Sequence, residues 1–200
     1  MVRPVSQDVQ EPESEKTAEM ATSVTQPAQA PVDPLAEFGI TIPSSAPIMP
    51  AERTLDIGGT VSFGLDVARI DRAERFYHEL FEMDIVCRAW RQDDGSWSVS
   101  TEPVDWPAVL IHGYYPELVV LQRPGWTLVL HGMGRGQVLK SPKVGDAEAP
   151  ASLESFRKLR AKILIRAYTV VEDRPDRFAF RDPFAVVWTL VPDESLSTRS

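Results

Sequence analysis

The sequence predicts an α+β protein of two tandem βαβββ units forming a curved mixed β-sheet cleft, with a disordered N-terminal tail. Three observations predict it. Composition changes sharply near residue 53, an alternating strand runs into an amphipathic helix over residues 61–81, and a weaker helix-then-strands order returns over residues 150–191. Two hundred residues hold one such domain with a real core and leave no comfortable room for a second.

Residues 1–53 are rich in Pro, Ala, Ser, Thr, Gln and Glu, have Phe38 as their one aromatic residue, and read as a disordered tail or linker. Their eight acidic and three basic residues hold most of the net charge of −8. Within the tail, Pro34 to Pro43 is an apolar island bracketed by prolines. It reads either as a linker with incidental apolar residues or as a segment that lies against the domain or docks on a protein partner.

The acidic balance argues against nucleic acid as a partner, because polyphosphate is repelled at long range. Met1 to Gln10 has no apolar secretory core, and no run reaches the roughly 20 apolar residues of a membrane span, so no span is expected. The single cysteine, Cys87, excludes an intrachain disulfide framework, and cytoplasm is the expected location.

The first unit is expected over residues 58–124. Val61, Phe63, Leu65 and Val67 alternate with small or polar residues as in a half-buried strand. Asp71 stands as N-cap to a helix reaching Phe81, with Ala73, Phe76, Tyr77, Leu80 and Phe81 at helical spacing and His78 on the solvent side. Strands follow over residues 85–90 and 97–99 around the Asp93-Asp94-Gly95 turn, then over 109–111 and 118–121. The second unit is expected over residues 125–192, within a domain of residues 54–192, with residues 193–200 as a C-terminal tail. Its elements are a strand over 127–130, a glycine-rich segment 132–136, a helix opened by Pro150 and Ser152, and strands over 165–171, 177–180 and 186–191.

Two segments carry a family resemblance. The strand and helix from Val61 to Phe81, with its Phe76-Tyr77 pair, resemble the opening of the vicinal-oxygen-chelate (glyoxalase/bleomycin-resistance/extradiol dioxygenase) superfamily, where a Leu-Phe-Gly-Phe type turn follows. Phe178 to Leu190, with Asp182-Pro183, is similar to that superfamily's closing hairpin, usually Asp-Pro-Asp-Gly-Asn before the last strand. Tyr115 to Pro124 resembles the fourth strand of a first module.

The resemblance implies a cleft where enzymes of the superfamily hold one divalent metal through His on the first strand of each module and Glu on the last. By the family's spacing these positions fall on Ser62, Glu117, Thr127 (or its neighbour Trp126) and Thr189, so one carboxylate of four survives. Imidazole and carboxylate ligands give such sites their affinity, and neither metal nor other cofactor is expected here. The resemblance also favours a homodimer.

Other candidates are weaker. His112, His131 and Glu117 make an unconventional metal triad only if their strand faces agree, and hydrogen-bonded structural histidines are the commoner explanation. Cys87 and Arg88 are adjacent in a strand and point apart, which argues against an activated thiol. Gly132 to Gln137 does not open into a helix, so a connection or a loop over the cleft outweighs a phosphate cradle.

Trp90, Trp97, Tyr114, Tyr115 and Trp126, with Glu117, are the expected ligand-binding residues, since flat amphipathic rings suit an aromatic small molecule. Core packing or a subunit interface would use the same rings. Three functions stay open. The first is a metal-independent, sequestering protein of the bacterial-type drug-resistance kind, and the second a non-catalytic accessory or scaffold subunit acting through residues 34–43. The third is a divergent metal-dependent lyase or dioxygenase. Loss of the metal ligands favours binding over catalysis.

Overall fold

A computed structural model of the chain describes residues 39–41, 46–100, 102–133 and 146–198. Most of the acidic tail and of the glycine-rich segment beyond Met133 lies outside the described residues.

The first half runs β1 (Val61–Val67), α1 (Ile70–Phe81), β2 (Asp84–Arg91), β3 (Trp97–Ser100), α2 (Trp106–His112), β4 (Leu118–Arg123) and β5 (Trp126–Gly132). The second runs β6 (Asp146–Ala151), α3 (Leu153–Ile165), β7 (Thr169–Arg174), β8 (Arg177–Arg181) and β9 (Val187–Pro192), followed by a 3₁₀ turn, Glu194–Thr198. The five-stranded sheet has the order β1-β5-β4-β2-β3, and the four-stranded sheet β6-β9-β8-β7. With the β3 hairpin arm set aside, the halves are topologically equal. In each the first strand lies parallel to the last, β1 on β5 and β6 on β9. This is the paired βαβββ architecture of the sequence reading.

The boundary between the halves differs from that reading. Residues 126–132 form the last strand of the first unit, in register with both β1 and β4. The second unit opens with β6, Asp-Ala-Glu-Ala-Pro-Ala, whose alanines carry too little apolar signal to announce a strand. Pro150 lies in this strand, and Ser152 alone caps α3 by accepting the Ser155 amide at 3.3 Å. Ile165 ends α3 rather than starting a strand.

Residues 109–111 are helical as well. Asp105 caps α2 by accepting the Ala108 amide, Pro107 sits in its first turn, and Gly113 closes it at φ 74° with its amide on the Val109 carbonyl. Complete start and stop signals outweigh the β-branched Val109 and Ile111. At α1 the N-cap position belongs to Arg69, which makes no side-chain cap, and Asp71 lies inside the first turn.

One core joins the halves. The inner face of α1 (Ala73, Phe76, Tyr77, Leu80, Phe81), the inward residues of β1 and β5, and Phe156, Phe178, Phe180, Trp188 and Leu190 of the second half form a single buried cluster. Its centre is aromatic: Phe81 and Trp188 have centroids 4.4 Å apart, and Trp126 stacks on Trp188 at 5.4 Å and 14°. A smaller cluster on the other face of the first sheet gathers Val86, Cys87, Ala89, Leu118, Val120 and Val129 beneath Ile40.

Ile40 belongs to the apolar island of residues 34–43, so at this point the island lies against its own domain. Residues 46–53 are also not free tail. Met49 pairs with Ile85 of β2, the Ala51 amide donates to Asp84, and the strap reaches the second half where Ile57 pairs with Ala151.

Glu82 fastens this strap. It sits at φ 53°, a backbone conformation that favours glycine, and its carboxylate accepts the Thr54 amide (2.6 Å), the Thr54 hydroxyl (2.8 Å) and the Leu55 amide (2.9 Å). Left-handed backbone costs an L-residue roughly 1–2 kcal/mol, less than several bonds to a buried carboxylate return. Ala185 sits at φ 70°, where its amide donates to the Asp182 carbonyl at 3.2 Å but its methyl side chain makes no bond that a glycine would lose.

Two substitutions of the same kind should therefore have opposite signs. Glu82→Gly should destabilise the protein by about 2 kcal/mol or more. Ala185→Gly should stabilise it by about 0.5 kcal/mol, since relief of strain exceeds the added chain entropy. Urea midpoints of the two variants check both, and equal signs would refute this account of Glu82.

Candidate ligand-binding site

A cavity of about 970 Å³ opens where β1 passes into α1 and where β2, β4 and β5 end beside it. Backbone bonds hold these ends together. The Glu117 amide donates to Ala89 at 2.9 Å, the Gly132 amide to Glu117 at 2.7 Å, and the Met133 amide to Val67 at 3.1 Å. Gly132 eases a close approach, since a Cβ there would stand 3.2 Å from the Pro116 carbonyl oxygen.

Four of the six expected ligand-binding residues, Trp90, Tyr114, Tyr115 and Glu117, line this cavity. Trp90 and Tyr114 lie nearly parallel, centroids 6.2 Å apart at 10°, and the Trp90 indole N–H donates to the Tyr114 carbonyl at 3.4 Å. Tyr114 is 61% exposed, an apolar face offered to solvent. Glu117 stands in the turn before β4, half-buried, and lines the cavity together with His131.

The other two lie elsewhere. Trp126 is 1% exposed in the aromatic core, its indole N–H donating to the Gly58 carbonyl at 3.0 Å. It is inward because β5 belongs to the first sheet. Trp97, on β3, packs half-buried against the smaller cluster. Trp188 is fully buried.

Charged residues outside the expected ligand-binding set shape the cavity. Arg69 holds Asp71 through two bonds, 2.9 and 2.7 Å, at the mouth of α1. Burial works against ionisation of Asp71, but the Arg69 guanidinium and backbone amides overcome it and hold the carboxyl below its ordinary range.

Behind the wall, Arg88 of β2, 1% exposed, grips Glu74 of α1 at 2.7 and 2.8 Å. The Trp106 indole N–H donates to the same carboxylate at 2.9 Å, and the Arg88 guanidinium lies 5.7 Å from the Trp106 ring centroid. This knot ties α2, and with it the Tyr114-Tyr115 connection, to α1 and β2. The signal was available in the sequence as an arginine inside an otherwise apolar strand and an acid on the apolar face of a helix.

First and last strands of the halves are β1, β5, β6 and β9, and their registered pairs are Ser62 with Thr127 and Glu148 with Thr189. Glu117 precedes β4 and does not belong to this set. Ser62 and Glu148 line one cavity of about 440 Å³. Three hydroxyls and one carboxylate do not fit a divalent transition metal, which takes imidazole, thiolate and carboxylate donors.

Among the described residues no group of three His, Cys, Asp or Glu is gathered for a metal. His112 is exposed at the end of α2 and does not line the cavity with Glu117 and His131, whose Nδ1 lies 3.0 Å from Asp66. His78 is half-buried rather than solvent-facing, its Nδ1 2.7 Å from the Met83 carbonyl. Burial pushes the Cys87 thiol up to about 11, against the pull of Arg88, which leaves it un-ionised at neutral pH. No described helix is long and apolar enough to cross a membrane.

No protein-family model and no curated protein matches the chain. Solved structures of vicinal-oxygen-chelate superfamily members do. Fosfomycin resistance protein FosX from Listeria monocytogenes is 10% identical over 71% of this chain and 98% of that one, with a TM-score of 0.45. TioX from Micromonospora sp. ML1 is 14% identical over 68% and 98%, at 0.41. Lactoylglutathione lyase from Agrobacterium tumefaciens is 13% identical over 69% and 96%, at 0.40.

Two measurements probe the cavity's supports. Glu74→Gln, which leaves Arg88 buried without its counter-charge, should cost about 3 kcal/mol, whereas the apolar pair Glu74→Leu with Arg88→Met should recover most of that loss. The lowered Asp71 pKa contributes stability above its ordinary value, about pH 4, and that contribution disappears as pH falls through the depressed value. The urea midpoint should thus fall less between pH 6 and pH 3 in Arg69→Ala than in the unaltered protein, and an equal fall would remove the assignment.

Proposed function

We propose that this chain is a metal-independent binding protein for a planar aromatic small molecule, held in the cavity at the ends of β1, β2, β4 and β5. The observation that carries the reading is the convergence of Trp90, Tyr114, Tyr115 and Glu117 on one space of about 970 Å³. That volume is within the range of small-molecule sites, which combine apolar walls with few polar groups. A ring entering beside Tyr114 stacks on the Trp90–Tyr114 pair at ordinary aromatic spacing. Glu117 supplies an acceptor for a donor group on the ligand's edge.

Hydroxyls at three of the four family metal positions support binding without an ion, since the superfamily's enzymes need the metal to polarise substrate oxygens. Trp90 alone of the five tryptophans lines the cavity, while Trp126 and Trp188 are sealed in the core.

A panel of planar aromatic compounds should include some that quench tryptophan emission saturably. Trp90→Leu should abolish the quenching and weaken calorimetric affinity at least ~10-fold, and chelator treatment should leave affinity unchanged. A flat response across the panel would refute the reading, as would binding that vanishes on chelation.

A further inference from the structure

A second crevice, about 520 Å³, lies between α1 and the second half. Its floor is aromatic. Phe76 is buried and meets the half-exposed rings of Tyr168 (5.4 Å, 75°) and Phe184 (5.7 Å, 75°) edge to face. Its rim is cationic, with Arg69, Arg72 and Arg75 at the start of α1 and Arg166 after α3.

The charges are not equally engaged. Arg69 is held by Asp71, Arg166 by Glu79 at 3.2 Å, and Asp66 lies against His131. Arg72 and Arg75 have no ion-pair partner among the described residues and are exposed. Both sit in the first half of α1, where the helix dipole disfavours cations, and at i, i+3 spacing they repel each other. Each effect costs a few tenths of a kcal/mol, and the two acids four residues either side of Arg75, Asp71 and Glu79, are engaged by Arg69 and Arg166.

Backbone strain marks the same place. Three described non-glycine residues have positive φ; of these Ala167 (54°) immediately precedes Tyr168, and Ala185 (70°) immediately follows Phe184. Backbone bonds fix both turns: the Ala167 and Tyr168 amides close α3 on the Leu164 and Ile163 carbonyls at 3.1 and 3.2 Å, and the Ala185 amide donates to the Asp182 carbonyl at 3.2 Å. Here they aim two rings into the crevice.

We propose that this crevice binds a small aryl phosphate, its ring against Tyr168 and Phe184 and its phosphate shared by the guanidiniums of Arg72 and Arg75. An oxyanion answers both the unpaired charges and the helix dipole, and the arginine fork matches phosphate geometry. The site is separate from the one proposed above and does not depend on it.

Calorimetry of the full chain with phenyl phosphate should show 1:1 saturable binding, with Kd around or below about 1 mM. Inorganic phosphate, lacking the ring, should bind at least ~10-fold more weakly, and so should phenyl phosphate to the Arg72→Gln/Arg75→Gln protein. That variant should keep or raise its thermal midpoint. Trp90→Leu should bind phenyl phosphate normally, which separates failure of this proposal from failure of the other. No saturable heat, equal affinity for inorganic phosphate, retained binding in the double variant, or loss of binding in Trp90→Leu would each overturn it.

Discussion

The two halves of the chain meet on one oxygen of the Asp182 carboxylate. Its Oδ2 accepts the Tyr77 hydroxyl of α1 at 2.6 Å and the Trp188 indole N–H of β9 at 3.0 Å. Its Oδ1 accepts the Phe184 and Val186 amides at 2.8 and 3.0 Å, which shapes the β8–β9 turn. Burial pushes the Asp182 carboxyl up while these four donors pull it back, and burial together with Asp182 pushes the Tyr77 phenol well up, so Tyr77 remains a donor. A buried acceptor with four fixed donors admits one geometry. The aromatic core, the position of α1 and the placement of Phe184 all follow from it.

The strand–helix opening was legible because its periodicity is dense: most inward positions of β1 and α1 are apolar, Asp71 and Glu74 being the exceptions. The closing hairpin was legible through Asp182-Pro183, whose carboxylate does structural work. β6 was not, because its inward residues are Ala147, Ala149 and Ala151, small enough to pack closely against the core yet without the branched or aromatic signature of a strand. Missing β6 gave β5 to the wrong half.

The aromatic residues show a different limit. Trp90 and Trp126 both lie in strands with apolar neighbours, and nothing local separates them. Their fates diverge through register. Trp126 pairs with Val61 and points toward α1, whereas Trp90 lies beyond the last β2–β4 pair, at the open end of the sheet. Composition named the right kind of residue for a ligand site, and only the pairing of strands decided which copies face the cavity.

Ala68 and Arg69 line both cavities, so the wall between them is only a short turn thick. A wall that thin would ordinarily couple its two sides, because filling one shifts the other. Here the turn is fixed from three directions. Arg69 is bound twice by Asp71, its carbonyl accepts the Arg72 and Ala73 amides at 3.1 Å, and Val67 takes the Met133 amide. A backbone held at both ends of so short a turn resists a second arrangement. The same turn can therefore present an aromatic and acidic wall on one side and a cationic rim on the other, with neither surface depending on what occupies its neighbour.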